Sequence, residues 1–431
     1  MDESLYPRRS YAWTVVAILI ATAILSYTDR QVLSLLVDPI RADLAISDTQ
    51  VSLLLGTAFA VVYGFAGIPL GYLADRTSRR NLIFGGVLVW SLGTLACGLS
   101  HSFGALFAAR IVVGLGEAVL SPAAISLISD YFPPSRRGTA VGCFLSGIAM
   151  GIGASILIGG GVLRFVEMGA LAGTPLAAQA PWRLVLLVIG APGLLWALAI
   201  LAIREPVRQA TDNVTASGPT NATGTANWAL VVPIYLVVAL ASLVDNAVGA
   251  WAPTLLIREF ARNAAEVGLV LGLLLTAGFG GGVLVGGWLA DRAGARGGWS
   301  RKLAVCLVFS SLILPVSLLI NAGEFYVVLI SVPLYFALSG SVTALGFSAI
   351  LDAVPNRSRG LAMAISFFLN VALGAGVGPT AVALTSDHLF GANAGLGPAI
   401  TLTVAVCYGI AAATLLATLT IVRRRQVLRE C

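Results

Sequence analysis

The sequence predicts an all-α integral membrane protein, with twelve transmembrane helices arranged as two pseudo-symmetric six-helix bundles. Three observations carry that expectation. Of 431 residues, 58% are hydrophobic and only 11% charged, against roughly 25% charged in ordinary soluble domains. The apolar residues fall into twelve runs, each near or above the ~20 residues that a spanning helix requires. Motifs of the first six runs return in the last six at nearly constant spacing. The 48 glycines suit membrane helices whose backbones approach closely.

In chain order the runs are 12–37, 49–74, 80–100, 103–130, 137–163, 183–203, 228–257, 264–291, 302–321, 325–353, 358–386 and 396–422. The first follows a polar opening, MDESLYPRRS, and is far longer than a signal-peptide core. No small-residue cleavage site follows it, so it reads as a retained helix. Several runs exceed the minimum and are expected to tilt or project beyond the bilayer. The longest polar stretch, REPVRQATDNVTASGPTNATGTAN (204–227), separates the sixth run from the seventh. Its Thr, Asn, Ala and Gly content reads as a flexible linker. The expected organisation is a bundle over 1–203, a cytoplasmic linker over 204–227 and a bundle over 228–431.

Orientation follows from Lys and Arg. Both termini and the loops after even-numbered runs hold nineteen of the 26 basic residues, among them Arg8, Arg9, Arg76, Arg79, Arg136, Arg204 and Arg423. The other side holds Arg41, Arg164, Arg183, Arg258 and Arg262. Both termini are therefore expected in the cytoplasm, with the chain in the inner (plasma) membrane. The net charge of +6 is a topology signal and gives no reason to expect nucleic acid. Cys97, Cys143, Cys306, Cys407 and Cys431 are too scattered for a metal site or a disulfide framework. No phosphate-binding Gly-Lys loop and no nucleophilic triad is present. The sequence thus points away from an enzyme and implies no cofactor.

The repeat is specific. SYTDRQ (26–31) aligns with SLVDNA (242–247), and GYLADR (71–76) with GWLADR (287–292), both at an offset of 216. DYFPPSRRGTA (130–140) aligns with DAVPNRSRGLA (352–362) at 222. Parallel six-helix repeats are the architecture of the major facilitator fold, whose halves rock about a midplane site. GYLADRTSRRN (71–81) resembles that superfamily's cytoplasmic signature between the second and third helices. YTDRQ together with ARIVVGLGEAVLSPA (109–123), above all the Gly-Leu-Gly-Glu-Ala core at 114–118, resembles the spinster branch. That resemblance implies a monomeric secondary transporter for lysophospholipid or sphingolipid-phosphate substrates, in contact with membrane lipids. The other branch with a similar first-helix stretch carries organic anions and sugar acids.

Charges inside spans are costly and by default functional. Asp29 and Arg30, adjacent on a helix, diverge by about 100° and need partners elsewhere. Arg110, Gly114 and Glu117, spaced i, i+4, i+7, share one face of the fourth helix. The four charged residues are expected to meet in the outer part of a central cavity. Asp29 and Glu117 would titrate protons, and Arg30 and Arg110, with Glu117, would bind an acidic head group. A salt-bridge network holding the first and fourth helices together is the plain alternative. Gly114 leaves room for a head group or another helix. Tyr27, Phe59, Tyr63, Phe367 and Phe368 are candidates to line a cavity for a lipid tail. Asp245 repeats Asp29, but Asn246 replaces the arginine.

In the superfamily a loop triad latches the halves in the outward-facing state, which the resemblance carries over to Asp75, Arg79 and Asp130. Asp291 and Asp352 mirror it, but Ala295 stands in place of Arg79. The Gly-rich fifth run (142–161) reads as close helix packing, and His101 and His388 as residues of outer loops. The expected function is proton-coupled transport of an amphipathic lysolipid by alternating access, with a small organic anion as the alternative substrate.

Overall fold

A computed structural model describes residues 6–206, 228–354, 359–391 and 395–430. Among them every regular element is helical, and twelve helices are long and apolar enough to cross a membrane. These are α1 (Arg9–Leu35), α2 (Asp48–Gly67), α3 (Arg79–Gly98), α4 (Phe103–Tyr131), α5 (Met150–Glu167), α6 (Pro181–Leu201), α7 (Val231–Phe260), α8 (Ala264–Ala295), α9 (Gly298–Leu319), α10 (Phe325–Ala353), α11 (Ile365–Phe390) and α12 (Gly397–Val422). Each matches one expected run. Twelve crossings bring both ends of the chain to one side, here the terminal pole; the other side is the distal pole. Most of the expected linker lies outside the described residues.

Local chemistry sets the ends. Ser78, Ser102 and Asn263 cap α3, α4 and α8 with side-chain oxygens that accept backbone N–H groups of the first turn, satisfying donors that lack helical partners. Ser47 and Gln50 form a reciprocal capping box ahead of α2. Two boundaries differ from expectation. The helix containing α5 starts at Pro134, because proline needs no N–H partner in a first turn. No separate loop divides α8 from α9: helical residues run from Ala264 to Leu319, with Gly298 at φ 60° supplying a left-handed residue between the two spans.

α4 breaks at Ala118 and Val119. Pro122 has no N–H to offer the Ala118 carbonyl one turn back, so the helical ladder cannot run through. Glu117 is the last residue before that break.

Apolar burial gives little drive between helices inside lipid, so close packing and hydrogen bonds join the two sets of six. α5 and α8 touch through backbone: a Cβ on Gly160 would lie 2.8 Å from Gly268. That is the close packing expected of the fifth run. α2 and α11 meet where each has a π-helical turn, Leu53–Thr57 and Asn370–Ala375, and Thr57 donates to the Gly376 carbonyl at 2.9 Å.

Candidate functional site

The charged centre sits where α1, α3 and α4 pack. Asp29 and Arg30 diverge as helical neighbours must. Arg30 turns to α4, and its Nη2 donates to Glu117 Oε2 at 2.6 Å. Asp29, 4% exposed, turns to α3, where its carboxylate meets the Thr94 hydroxyl. Arg110, 2% exposed, donates Nη1 to the backbone carbonyl of Asp29 and Nε to that of Leu54, each at 3.3 Å. The four residues are therefore brought together, with one direct acid–base pair, Arg30–Glu117. Gly114 is filled by a helix: a Cβ there would lie 3.0 Å from the Phe59 carbonyl of α2.

The expected aromatic lining divides. Phe59, Tyr27 and Tyr63 wall the Arg30 guanidinium, with ring centroids 3.8, 4.8 and 5.8 Å from Cζ. A guanidinium over desolvated ring faces gains about 0.5–2 kcal/mol. These three rings hold a cation where a lipid tail was expected. Phe367 and Phe368 on α11 are exposed. Phe367 stands 6.1 Å, ring to ring, from Phe347, and no described contact ties either residue to the charged centre.

Arg30 Nε, Arg110 Nη2 and Glu117 Oε1 are buried and have no hydrogen-bond partner in the protein. Buried polar atoms are almost always satisfied. Two cationic donors and one anionic acceptor left over in a single cluster are suited to a polar group arriving from outside.

The second half holds a different centre. Asp245 Oδ1 accepts from the Tyr335 hydroxyl at 2.7 Å and the Ser339 hydroxyl at 2.6 Å. Tyr408 donates to Ser339 Oγ at 2.7 Å. The repeat offsets align Arg30 with Asn246, Arg110 with Val332 and Glu117 with Ser339. Both bases and one acid of the first half thus have neutral counterparts.

At the terminal pole Arg79 is 1% exposed. It donates to Asp130 and, through Nε, to Glu205 Oε1 at 2.8 Å. Glu205 also accepts from the Arg80 backbone N–H and the Ser78 hydroxyl, each at 2.9 Å. Burial works against its charge, but these donors and the Arg79 guanidinium hold the Glu205 carboxyl below the usual carboxylate range. The Asp75 side chain lies outside the described residues. In the second half Lys302 Nζ donates to Asp352 at 2.5 Å and Ser348 at 2.9 Å. A lysine one span further along thus supplies the cation missing at Ala295.

The sequence reading did not foresee the distal pole. Arg258 of α7 donates Nη1 and Nη2 to Asp48 at 2.7 and 2.8 Å and Nε to Asp38 at 2.7 Å. Thr49 donates to Asp387 at 2.6 Å, and Thr254 to the Ser34 carbonyl at 3.1 Å. These hydrogen bonds and ion pairs between the first six and last six helices, together with those of Thr57 with Gly376, of Ser52 and Thr57 with Thr380 and of Asn263 with Glu167, lie in the distal half of the molecule. Counting Arg258 only as a topology charge hid its role. The two aspartates in a short, acid-rich loop were the available signal.

Residues 19–379 match the model of the Major Facilitator Superfamily. The chain is 31% identical, over 94% of each sequence, to an MFS-type efflux pump of Mycolicibacterium smegmatis. It is 25% identical to the hexuronate transporter of Bacillus subtilis, over 87% of this chain and 88% of that one. Its structure is similar to that of a bacterial homolog of the human lysosomal transporter spinster in an inward-facing, occupied conformation, with a TM-score of 0.81, 25% identity and coverage of 96% and 97% of the two chains. With twelve spanning helices and a family match over most of its length, this chain belongs to the major facilitator superfamily of membrane transporters.

Proposed function

We propose that the protein is a proton-coupled secondary active transporter that moves an amphipathic lysolipid or sphingolipid-like molecule by alternating access. The observation that carries this is the buried Arg30–Glu117 pair with unspent polar atoms beside it. An acidic head group competes with Glu117 for Arg30 and takes the free donor of Arg110. Glu117 is then a carboxylate stranded in a span, at a cost of at least about 2.5–3.5 kcal/mol on insertion scales. A proton removes that cost, so substrate and proton binding are linked. Asp29, one residue from Arg30, is the second proton acceptor. Exposed Phe367 and Phe368 offer apolar surface to a tail. Likeness to a bacterial spinster homolog agrees with the spinster resemblance of YTDRQ and the Gly-Leu-Gly-Glu-Ala core, which implies an amphipathic substrate.

In this reading the chain is a monomer in the plasma membrane, built of bundles 1–203 and 228–431. Both termini and the 204–227 linker are cytoplasmic. The distal pole, where the halves are joined by hydrogen bonds and ion pairs, then faces outward, and access in this state is from the cytoplasm. Arg258, Asp38 and Asp48 latch this state; Asp75, Arg79 and Asp130 latch the opposite one. Cysteine labelling should reach position 101 from outside and position 215 from inside; the reverse pattern would overturn the orientation.

A small organic anion or sugar acid is the second reading, favoured by the paired guanidiniums and by the hexuronate transporter's similarity. A thermal-shift screen of the purified protein separates the two. Lysolipids should stabilise it, and Arg110→Ala should lose the effect. Stabilisation by sugar acids alone would replace the lipid reading with the second one.

A further inference from the structure

Asp245 lies near the middle of α7, the depth at which a bare charge is most costly. Its hydrogen-bond partners among the described residues, Tyr335 and Ser339, are 0% exposed, as is nearly true of Tyr408 at 1%. All three are neutral hydroxyl groups, two of them bonded to the same oxygen, Oδ1. The other oxygen, Oδ2, takes no hydrogen bond from a described residue, and it is not among the sealed, unpartnered atoms. The titratable groups facing Asp245 are Tyr335 and Tyr408, with Cys306 of α9 behind Tyr408. Neighbouring Asn246 and Asn370 spend their amides on Ser242. No described Lys, Arg or His acts on the carboxylate from α10, α11 or α12. Where the first half balances each acid with a base nearby, the second presents one acid and a cluster of oxygens.

We propose that Asp245, with Ser339, Tyr335 and Tyr408, forms a second monovalent-cation site, which takes up a proton or a sodium ion during the transport cycle. A proton binds Oδ2 and leaves the two bonds to Oδ1 in place. A sodium ion is a hard cation that takes carboxylate and hydroxyl oxygens, which this cluster supplies. In either form the ion supplies the charge that Arg30 and Arg110 bring to the first half. The site rests on the reading of the protein as an ion-coupled transporter and adds a second coupled ion to it.

The test is the limiting substrate accumulation in proteoliposomes under a tenfold gradient of protons or of sodium. Each coupled ion multiplies that limit by its gradient, so Asp245→Asn should lower it about tenfold. Loss under the proton gradient assigns a proton; loss under the sodium gradient assigns sodium. An unchanged limit under both overturns the site. Ser339→Ala keeps the carboxylate and serves if Asp245→Asn does not fold. It should shift the ion concentration for half-maximal rate, whereas a purely structural serine would change only the yield of folded protein. No shift for either ion overturns the site as well. A wild-type protein that accumulates nothing under either gradient overturns the transport reading and this site with it. Coupled wild type with an indifferent Asp245→Asn overturns the site alone.

Discussion

The two halves place an aspartate at the same repeat position and surround it differently. Asp29 shares its neighbourhood with Arg30, Arg110 and Glu117; Asp245 has Tyr335, Ser339 and Tyr408. The backbone repeat keeps the location of the acid while the chemistry around it changes. In the proposed reading, anion recognition belongs to the first half, which holds Arg30 and Arg110. The second half is left with a carboxylate that has neutral hydroxyl partners among the described residues, which is where the proposed ion would bind. A pseudo-symmetric scaffold thus gives an asymmetric site, as the proposed transport of a polar-headed molecule together with an ion would require.

The strongest challenge to that contrast is to truncate equivalent positions. Glu117→Ala strands Arg30 in a buried site and should cost about 3–5 kcal/mol of stability. Ser339→Ala removes one hydrogen bond to a carboxylate and the acceptor of the Tyr408 hydroxyl, strands no formal charge, and should cost about 1.5–3 kcal/mol. Thermal unfolding in detergent should rank them so; equal losses would erase the distinction between the halves. The next test transplants the first-half pair. Asn246→Arg alone adds a cation without an acid opposite, whereas Asn246→Arg with Ser339→Glu rebuilds the Arg30–Glu117 arrangement. A double-mutant cycle should show a favourable coupling of about 1–3 kcal/mol, and additive losses would mean that the halves are not equivalent in geometry.

The poles offer a parallel contrast. Arg258→Ala removes the bidentate bond to Asp48 and the bond to Asp38 and should favour opening at the distal pole. About 1–2 kcal/mol shifts such a ratio roughly 5–30-fold, visible as longer distances between spin labels on the distal ends of α1 and α7. Asp75→Asn should move the same population the other way. The smallest effect is expected at Glu205. Because its folded-state carboxyl is held below the ordinary range, its contribution is complete above the unfolded value of about 4.3. It is lost as pH falls through the lowered folded value. Glu205→Gln should therefore cost roughly 1 kcal/mol near neutral pH, with the difference from wild type closing in acid. A gap that persists at low pH would assign Glu205 a role other than its charge.

Much of the fold is written in the hydropathy pattern, because a membrane leaves a chain little choice but long apolar helices. All twelve spans follow from it, and the repeat offset announces the two sets of six. The members of the charged centre were equally visible, since Asp29, Arg30, Arg110 and Glu117 are conspicuous in apolar runs. Their pairing was not. Which base meets which acid depends on how α1 and α4 rotate against each other, and a single sequence does not encode that in any local period. Phe59 and Tyr63 were read as tail contacts because an apolar ring can serve a cation or a lipid equally well. Arg258, Lys302 and Glu205 were overlooked for a related reason. Near the end of a span, a charge that sets topology and a charge that joins two helices look alike until the partner is placed.

The central claim is that the acids of the first half couple protons to substrate while the arginines hold the substrate. Uptake into proteoliposomes, with and without an imposed pH gradient, tests it most directly. Asp29→Asn should remove the proton-driven accumulation coupled through the first half, leaving at most the share that Asp245 couples, yet retain substrate binding, and Arg110→Ala should weaken binding itself. A full pH-dependent response in Asp29→Asn would contradict the account and leave the Asp29–Arg30 stretch as a structural element of the α1–α4 contact.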